Sequence, residues 1–104
     1  MSDPLLQLDA KTFAAQLHTP FKVRTGAGDP VVLELDEILE PSVPPEIELF
    51  IVHFRGPRQP LLKQQIYPFE HEVLGAFDLF VTAIAADAQS TTYEAVFHRT
   101  RKKS

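Results

Sequence analysis

Hydrophobic residues recur along this chain in short runs of period two, separated by compact clusters of turn residues. From Phe21 the alternation is plain: Phe21, Val23 and Thr25 fall on one side, Lys22 and Arg24 on the other. That pattern predicts a strand with one buried and one wet face. Gly26-Ala27-Gly28-Asp29-Pro30 supplies residues for a reversal, and Val31 to Leu39 repeats the pattern, with Val31, Leu33 and Leu35 inward and Glu34 and Asp36 outward. The two segments read as an antiparallel hairpin. Pro41-Ser42-Val43-Pro44-Pro45 cannot donate ladder hydrogen bonds at its prolines and is expected to form a surface loop or an edge cover.

Ile47 to Phe54 is apolar on both faces, which predicts a central strand covered on both sides, and Arg55-Gly56-Pro57-Arg58-Gln59-Pro60 should then leave the sheet. Ile66 to Glu70 forms a further strand if Pro68 stands at an edge or bulge. Glu72-Val73-Leu74-Gly75 reads as a turn, and Ala76 to Ala85 with Thr91 to Arg99 as a last hairpin. In that hairpin Tyr93, Ala95 and Phe97 alternate against Thr92, Glu94 and Val96. The good helical window is Asp9 to Leu17: Asp9 is a capping residue, Phe13 and Leu17 share a face, and Leu6 and Leu8 are placed to staple the entry. Pro20 ends it, and so short a helix should lie over one end of the sheet.

These elements predict a mainly β protein: a single small antiparallel β-barrel or compact sandwich of about six strands, with one short N-terminal helix. A barrel is preferred because closure hides the edges. With 104 residues and 44% hydrophobic content there is material for one core, so residues 1–98 are expected to form a single domain followed by a basic, frayed tail at 99–104.

Charge narrows the function classes. The net charge is -4, but four of the ten Lys and Arg residues sit in the last six positions, so residues 1–98 carry six basic against fourteen acidic groups. Such a body opposes the electrostatic attraction on which nucleic-acid affinity depends, leaving only the tail Arg99 to Ser104 as a third-ranked nucleic-acid reading. The chain has no cysteine, so disulfides, thiolate metal sites and cysteine nucleophiles are unavailable. The start Met1-Ser2-Asp3-Pro4-Leu5-Leu6 lacks a secretory pattern, and no apolar run approaches the roughly 20 residues a membrane helix needs. The expectation is a soluble, cytoplasmic protein without a membrane partner.

No motif carries a reaction. His18, His53, His71 and His98 are scattered; Glu70-His71-Glu72 is a local cluster, but a strand sends the histidine to the opposite face from the two glutamates. Glu34 and Asp36 alternate with apolar residues as a solvated face does, and no serine lies in a nucleophile elbow. Gly26-Ala27-Gly28 precedes a strand where a phosphate loop would precede a helix. No catalytic residue, metal ligand or cofactor is therefore assigned. The segment Phe54 to Leu62 resists a purely structural account. Arg55 and Arg58, on a Gly- and Pro-restrained loop with Leu61 and Leu62, form a candidate interaction surface. His53, Tyr67 and Tyr93 are the candidate polar lining if the barrel interior holds a ligand.

Phe54-Arg55-Gly56-Pro57, Gln65-Ile66-Tyr67-Pro68-Phe69-Glu70-His71, Leu74-Gly75-Ala76-Phe77-Asp78-Leu79-Phe80 and Tyr93-Glu94-Ala95-Val96-Phe97 occur in this order. In these patterns the chain resembles a family of small bacterial proteins known as a domain of unknown function, the one numbered 6916. The resemblance runs from Phe13 through Phe97 and is weakest at Glu40 to Glu46. It implies a stand-alone bacterial β domain and carries over no activity, cofactor or catalytic residue.

The reading expected from all of this is a non-enzymatic β domain acting through protein contacts, as an accessory or assembly component of a larger bacterial complex. A homo-oligomer through an edge strand is compatible with it. The alternative is a small-molecule binder or cryptic enzyme using the barrel interior.

Overall fold

The alternation that begins at Phe21 becomes two antiparallel strands, β1 (Pro20–Val23) and β2 (Val31–Leu39), paired from Pro20 opposite Glu34 to Val23 opposite Val31. A computed structural model describes residues 8–26, 28 and 30–100. Four more strands follow among them: β3 (Ile47–Pro57), β4 (Gln65–His71), β5 (Gly75–Ala86) and β6 (Ser90–Thr100). They close an antiparallel barrel in the order β1-β2-β3-β6-β5-β4, with β4 returning to β1. The barrel, and one short helix among the described residues, are as the sequence predicts.

Two ends can be distinguished. Residues 24–26, 58–64 and 87–89 lie at one, here the loop end. The helix, residues 40–46 and the turn 72–74 lie at the other, the helix end. The longest ladder joins β3 to β6 along eleven rungs, from Ile47 opposite Thr100 to Pro57 opposite Ser90. The seam between β1 and β4 has two, Lys22 with Glu70 and Val23 with Phe69. On its outside Arg24 forks onto Glu70, Nε to Oε2 at 3.0 Å and Nη2 to Oε1 at 3.1 Å. That fork holds the Glu70 carboxyl below its usual range.

The inward set is the one the alternation dictates: Phe21, Val23, Val31, Leu33, Leu35, Tyr93, Ala95 and Phe97 are all buried. A β-bulge between Leu35 and Glu37 shifts the phase of β2, so that Ile38 rather than Glu37 faces in beside Val52. The helix α1 (Ala10–Ala14) is shorter than its periodicity suggests. Asp9 caps it by accepting from the Thr12 N–H at 2.8 Å. Leu17, expected beside Phe13, is instead 37% exposed, because the chain leaves the helix in tight turns and His18 takes a left-handed conformation (φ 66°). Of the expected staple, Leu8 is buried, while Leu6 lies outside the described residues.

Phe13 is the helix's contribution to the core. It is fully buried, with ring centroids 6.3 Å from Phe21, 6.1 Å from Phe50, 6.3 Å from Phe77 and 5.3 Å from Phe97. It thus closes the helix end of the barrel. Arg99 ties the chain leading into α1 to the same end: its Nη2 donates to the Leu8 carbonyl at 2.7 Å and lies 3.2 Å from Glu48 Oε2, with the guanidinium over Phe50 and Phe97.

Three expectations are revised. Arg55, Gly56 and Pro57 stay in β3 opposite Thr92, Thr91 and Ser90, so the chain leaves the sheet only at Arg58. Gly56 faces inward, where a β-carbon would collide with the Leu33 side chain, and its function is close packing rather than chain reversal. Pro68 stands inside β4 rather than at an edge or bulge. Its carbonyl accepts from Arg24 N–H at 3.0 Å where β1 has already ended, so its missing donor faces the frayed end of a seam. Of the expected tail, Arg99 and Thr100 belong to β6, and 101–104 lie outside the described residues.

Candidate functional site

The interior is occupied by ring-on-ring packing. Phe54 lies 5.2 Å from Phe21 and 5.4 Å from Phe69, which in turn stacks at 5.7 Å on Phe77. At the loop end Leu62 is buried and its backbone N–H donates to the Tyr93 hydroxyl at 2.9 Å. The Tyr67 hydroxyl donates to the carbonyl of the next residue, Lys63, at 2.9 Å. The loop is therefore drawn over the mouth from inside by two tyrosines, and Leu62 plugs the loop end as Phe13 plugs the other.

The residues singled out from sequence are consequently divided. Tyr67 and Tyr93 do face inward and meet at the same loop, but their hydroxyls are engaged by backbone. His53 lies on the outer wall, because β3 buries Val52 and Phe54 and turns the intervening residues out. There it stands between two carboxylates from neighbouring strands, Nδ1 3.4 Å from Glu37 Oε1 and Nε2 3.1 Å from Glu94 Oε2. Of the four surface candidates, Leu62 is buried, Arg55 lies on the outer wall 3.6 Å from Asp36, and Arg58 and Leu61 remain exposed on the loop. Glu70 and His71 take opposite sides of β4 as the strand geometry requires. Among the described residues no group of three or more His, Cys, Asp or Glu is placed to hold a metal ion, and no helix is long and apolar enough to cross a membrane.

The outer wall carries a more organised surface. Register places Glu37, His53, Glu94 and Thr82 in one row across β2, β3, β6 and β5. The next row toward the helix end is apolar: Leu39 opposite Ile51, and Ile51 opposite Val96. On β4 and β5, Ile66 stands opposite Phe80. Ile66, Phe80 and Val96 are 63%, 48% and 55% exposed.

Between β5 and β6 the ladder ends early. It joins Thr82–Ala86 to Thr91–Glu94, with a bulge between Ala83 and Ala85. Toward the helix end, Gly75–Val81 of β5 and Ala95–His98 of β6 have no strand partner across that seam among the described residues. Phe80 and Val96 stand two residues beyond its last rung, Thr82 with Glu94, one on each bank. Neither Phe80 nor Val96 is among the residues expected from the sequence to form an interaction surface. A signal existed at Val96, the apolar member of the outward set Thr92, Glu94 and Val96.

A last polar constellation sits at the helix end. His71 is buried on β4, its ring 4.2 Å from that of Phe21, and it borders a surface groove lined by Gln16, Thr19, Lys22, Val32 and Val73. Burial lowers its pKa from the ordinary value of 6.5, a smaller effect of Glu72 acting the other way.

No curated protein and no solved structure matches the chain. A family model does match, over residues 8–97, the span from the buried Leu8 to the last inward aromatic of β6, and the chain belongs to the family described as Domain of unknown function (DUF6916).

Proposed function

We propose that this protein is a non-enzymatic contact module, an accessory or assembly component of a larger bacterial complex in the cytoplasm, which receives an extended segment of a protein partner at the open seam between β5 and β6. One observation carries the reading. The ladder stops at Thr82 and Glu94, leaving backbone edges on both banks with Phe80 and Val96 exposed beside them. Added strands are held by backbone hydrogen bonds and selected by alternate side chains, and this seam offers the edge and the apolar flank together.

The interior supports a ligand less well. Tyr67 and Tyr93 spend their hydroxyls on the loop backbone, and His53 faces outward.

The test is capture of partners from native lysate by the wild-type chain, by a Phe80→Glu, Val96→Glu double variant and by an Arg58→Glu, Leu61→Glu double variant. Loss of a stoichiometric partner in the first variant alone is expected. Loss only in the second moves the contact to the loop. A wild-type chain that stays monomeric and retains no protein removes the reading.

A further inference from the structure

His71 is the hub of a hydrogen-bond chain that joins two segments far apart in sequence. Its Nδ1 accepts from the backbone N–H groups of Val73 at 3.0 Å and Leu74 at 3.1 Å. With two donors aimed at it, Nδ1 carries no proton, so the ring proton is on Nε2. Nε2 lies 2.9 Å from Thr19 Oγ1, and that hydroxyl donates to the Gln16 carbonyl at 2.7 Å. One neutral imidazole thus holds the β4–β5 turn on one side and the segment leading from α1 into β1 on the other. Every position in the chain of bonds has a fixed donor and acceptor.

A proton added at Nδ1 reverses that arrangement. It places a donor against two donors, so both turn bonds are lost, and it leaves a partly desolvated cation beside the Phe21 ring, whose attraction for it is a weak return for two lost hydrogen bonds. The charged groups around it do not offset this. Glu72 belongs to the turn that is released; Glu70, on the opposite side of β4, is held by Arg24; Lys22 on β1 is itself a cation; Gln16 and Thr19 from the helix side are neutral.

We propose that His71 is an acid-sensitive latch: protonation of its ring frees the turn 72–74 and, through Thr19, the Gln16–Thr19 segment, so that the helix end of the barrel loosens as a unit while the loop end stays closed. The two ends differ in chemistry, since at the loop end the Leu62 N–H is held by the Tyr93 hydroxyl and the Lys63 carbonyl by the Tyr67 hydroxyl, with no imidazole in either bond.

Amide exchange and imidazole nitrogen shifts of the full chain, followed by NMR from about pH 8 to about pH 5, test the latch across the ordinary histidine range. At the upper limit His71 should be the Nε2–H tautomer. Below 6.5 the opening of the Val73 and Leu74 amides, corrected for intrinsic exchange, should increase about tenfold per pH unit until the folded His71 midpoint is reached, then level off. Leu62 should not respond. His71→Asn retains a side-chain acceptor for the turn without a titrating ring, and its turn should show no such dependence. If that variant does not fold, Thr19→Val serves: the turn should still respond to pH while Gln16–Thr19 no longer follows. An Nδ1–H tautomer in neutral solution, turn amides indifferent to His71 titration, or an unchanged pH response in His71→Asn would each overturn the proposal.

Discussion

The Tyr93 hydroxyl accepts the backbone N–H of Leu62 at 2.9 Å, across 31 residues of chain, with both side chains buried. In Tyr93→Phe the ring still fills its place, but the Leu62 N–H loses its acceptor in a site closed to water. The expected loss is about 1–3 kcal/mol of unfolding free energy. Chemical denaturation measures it, and amide exchange should show the increase confined to residues 61–63.

Phe13 is the largest apolar group that α1 contributes. Phe13→Ala removes a fully buried ring that touches four others and should cost about 3–5 kcal/mol in equilibrium unfolding. Leu17→Ala, four residues along on the same notional face but exposed, should change stability by less than about 0.5 kcal/mol. Similar losses for the two variants would contradict the packing described.

The Leu33 side chain fills the space beside Gly56 on the neighbouring strand. Gly56→Ala forces Leu33 off its position and should destabilise by about 1–3 kcal/mol. The combination with Leu33→Ala should lose less than the sum of the two single variants, since the collision then has no second party. Additive losses in a double-mutant cycle would show that the collision is not the cause.

Acid should weaken the fold in a defined direction. The folded state holds His71 below its ordinary value, so below 6.5 the unfolded chain binds more protons than the folded one. The stability contributed by neutral His71 is therefore complete above 6.5 and is lost as pH falls through the folded midpoint. Urea unfolding curves across that window should show the decline in the wild-type chain and a shallower one in His71→Asn.

Much of the barrel was legible because period two leaves little freedom. Once Phe21, Leu33 and Tyr93 are inward, their neighbours on each strand follow, and the structure buries the expected residues. The helix was overestimated because Phe13 and Leu17 satisfy helical spacing, yet only Phe13 reaches the barrel before the chain turns at His18. Gly56-Pro57 imitates a turn signal, and nothing local reveals that Leu33 occupies the space beside the glycine. His53 was misplaced for a related reason: its partners, Glu37 and Glu94, come from β2 and β6, and strand order is absent from the periodicity of any one run. The open seam was hidden in the same way, since the length of the β5–β6 ladder is a property of the pairing and not of either run alone.

The eleven-rung ladder between β3 and β6 makes the fold depend on its last strand to emerge during synthesis. A nascent chain that has delivered β1 to β5 holds β3 with one side unpaired along its length, and that strand contains Leu49, Phe50, Ile51 and Val52. Until Ser90–Thr100 leaves the ribosome this edge is a template for any other extended chain. Barrel closure is then a late event, joining strands more than thirty residues apart in sequence, and it is slow relative to local hairpins. The pairing of Ser90–Thr100 with β3 is thus the step at which an exposed, association-prone edge becomes a paired one.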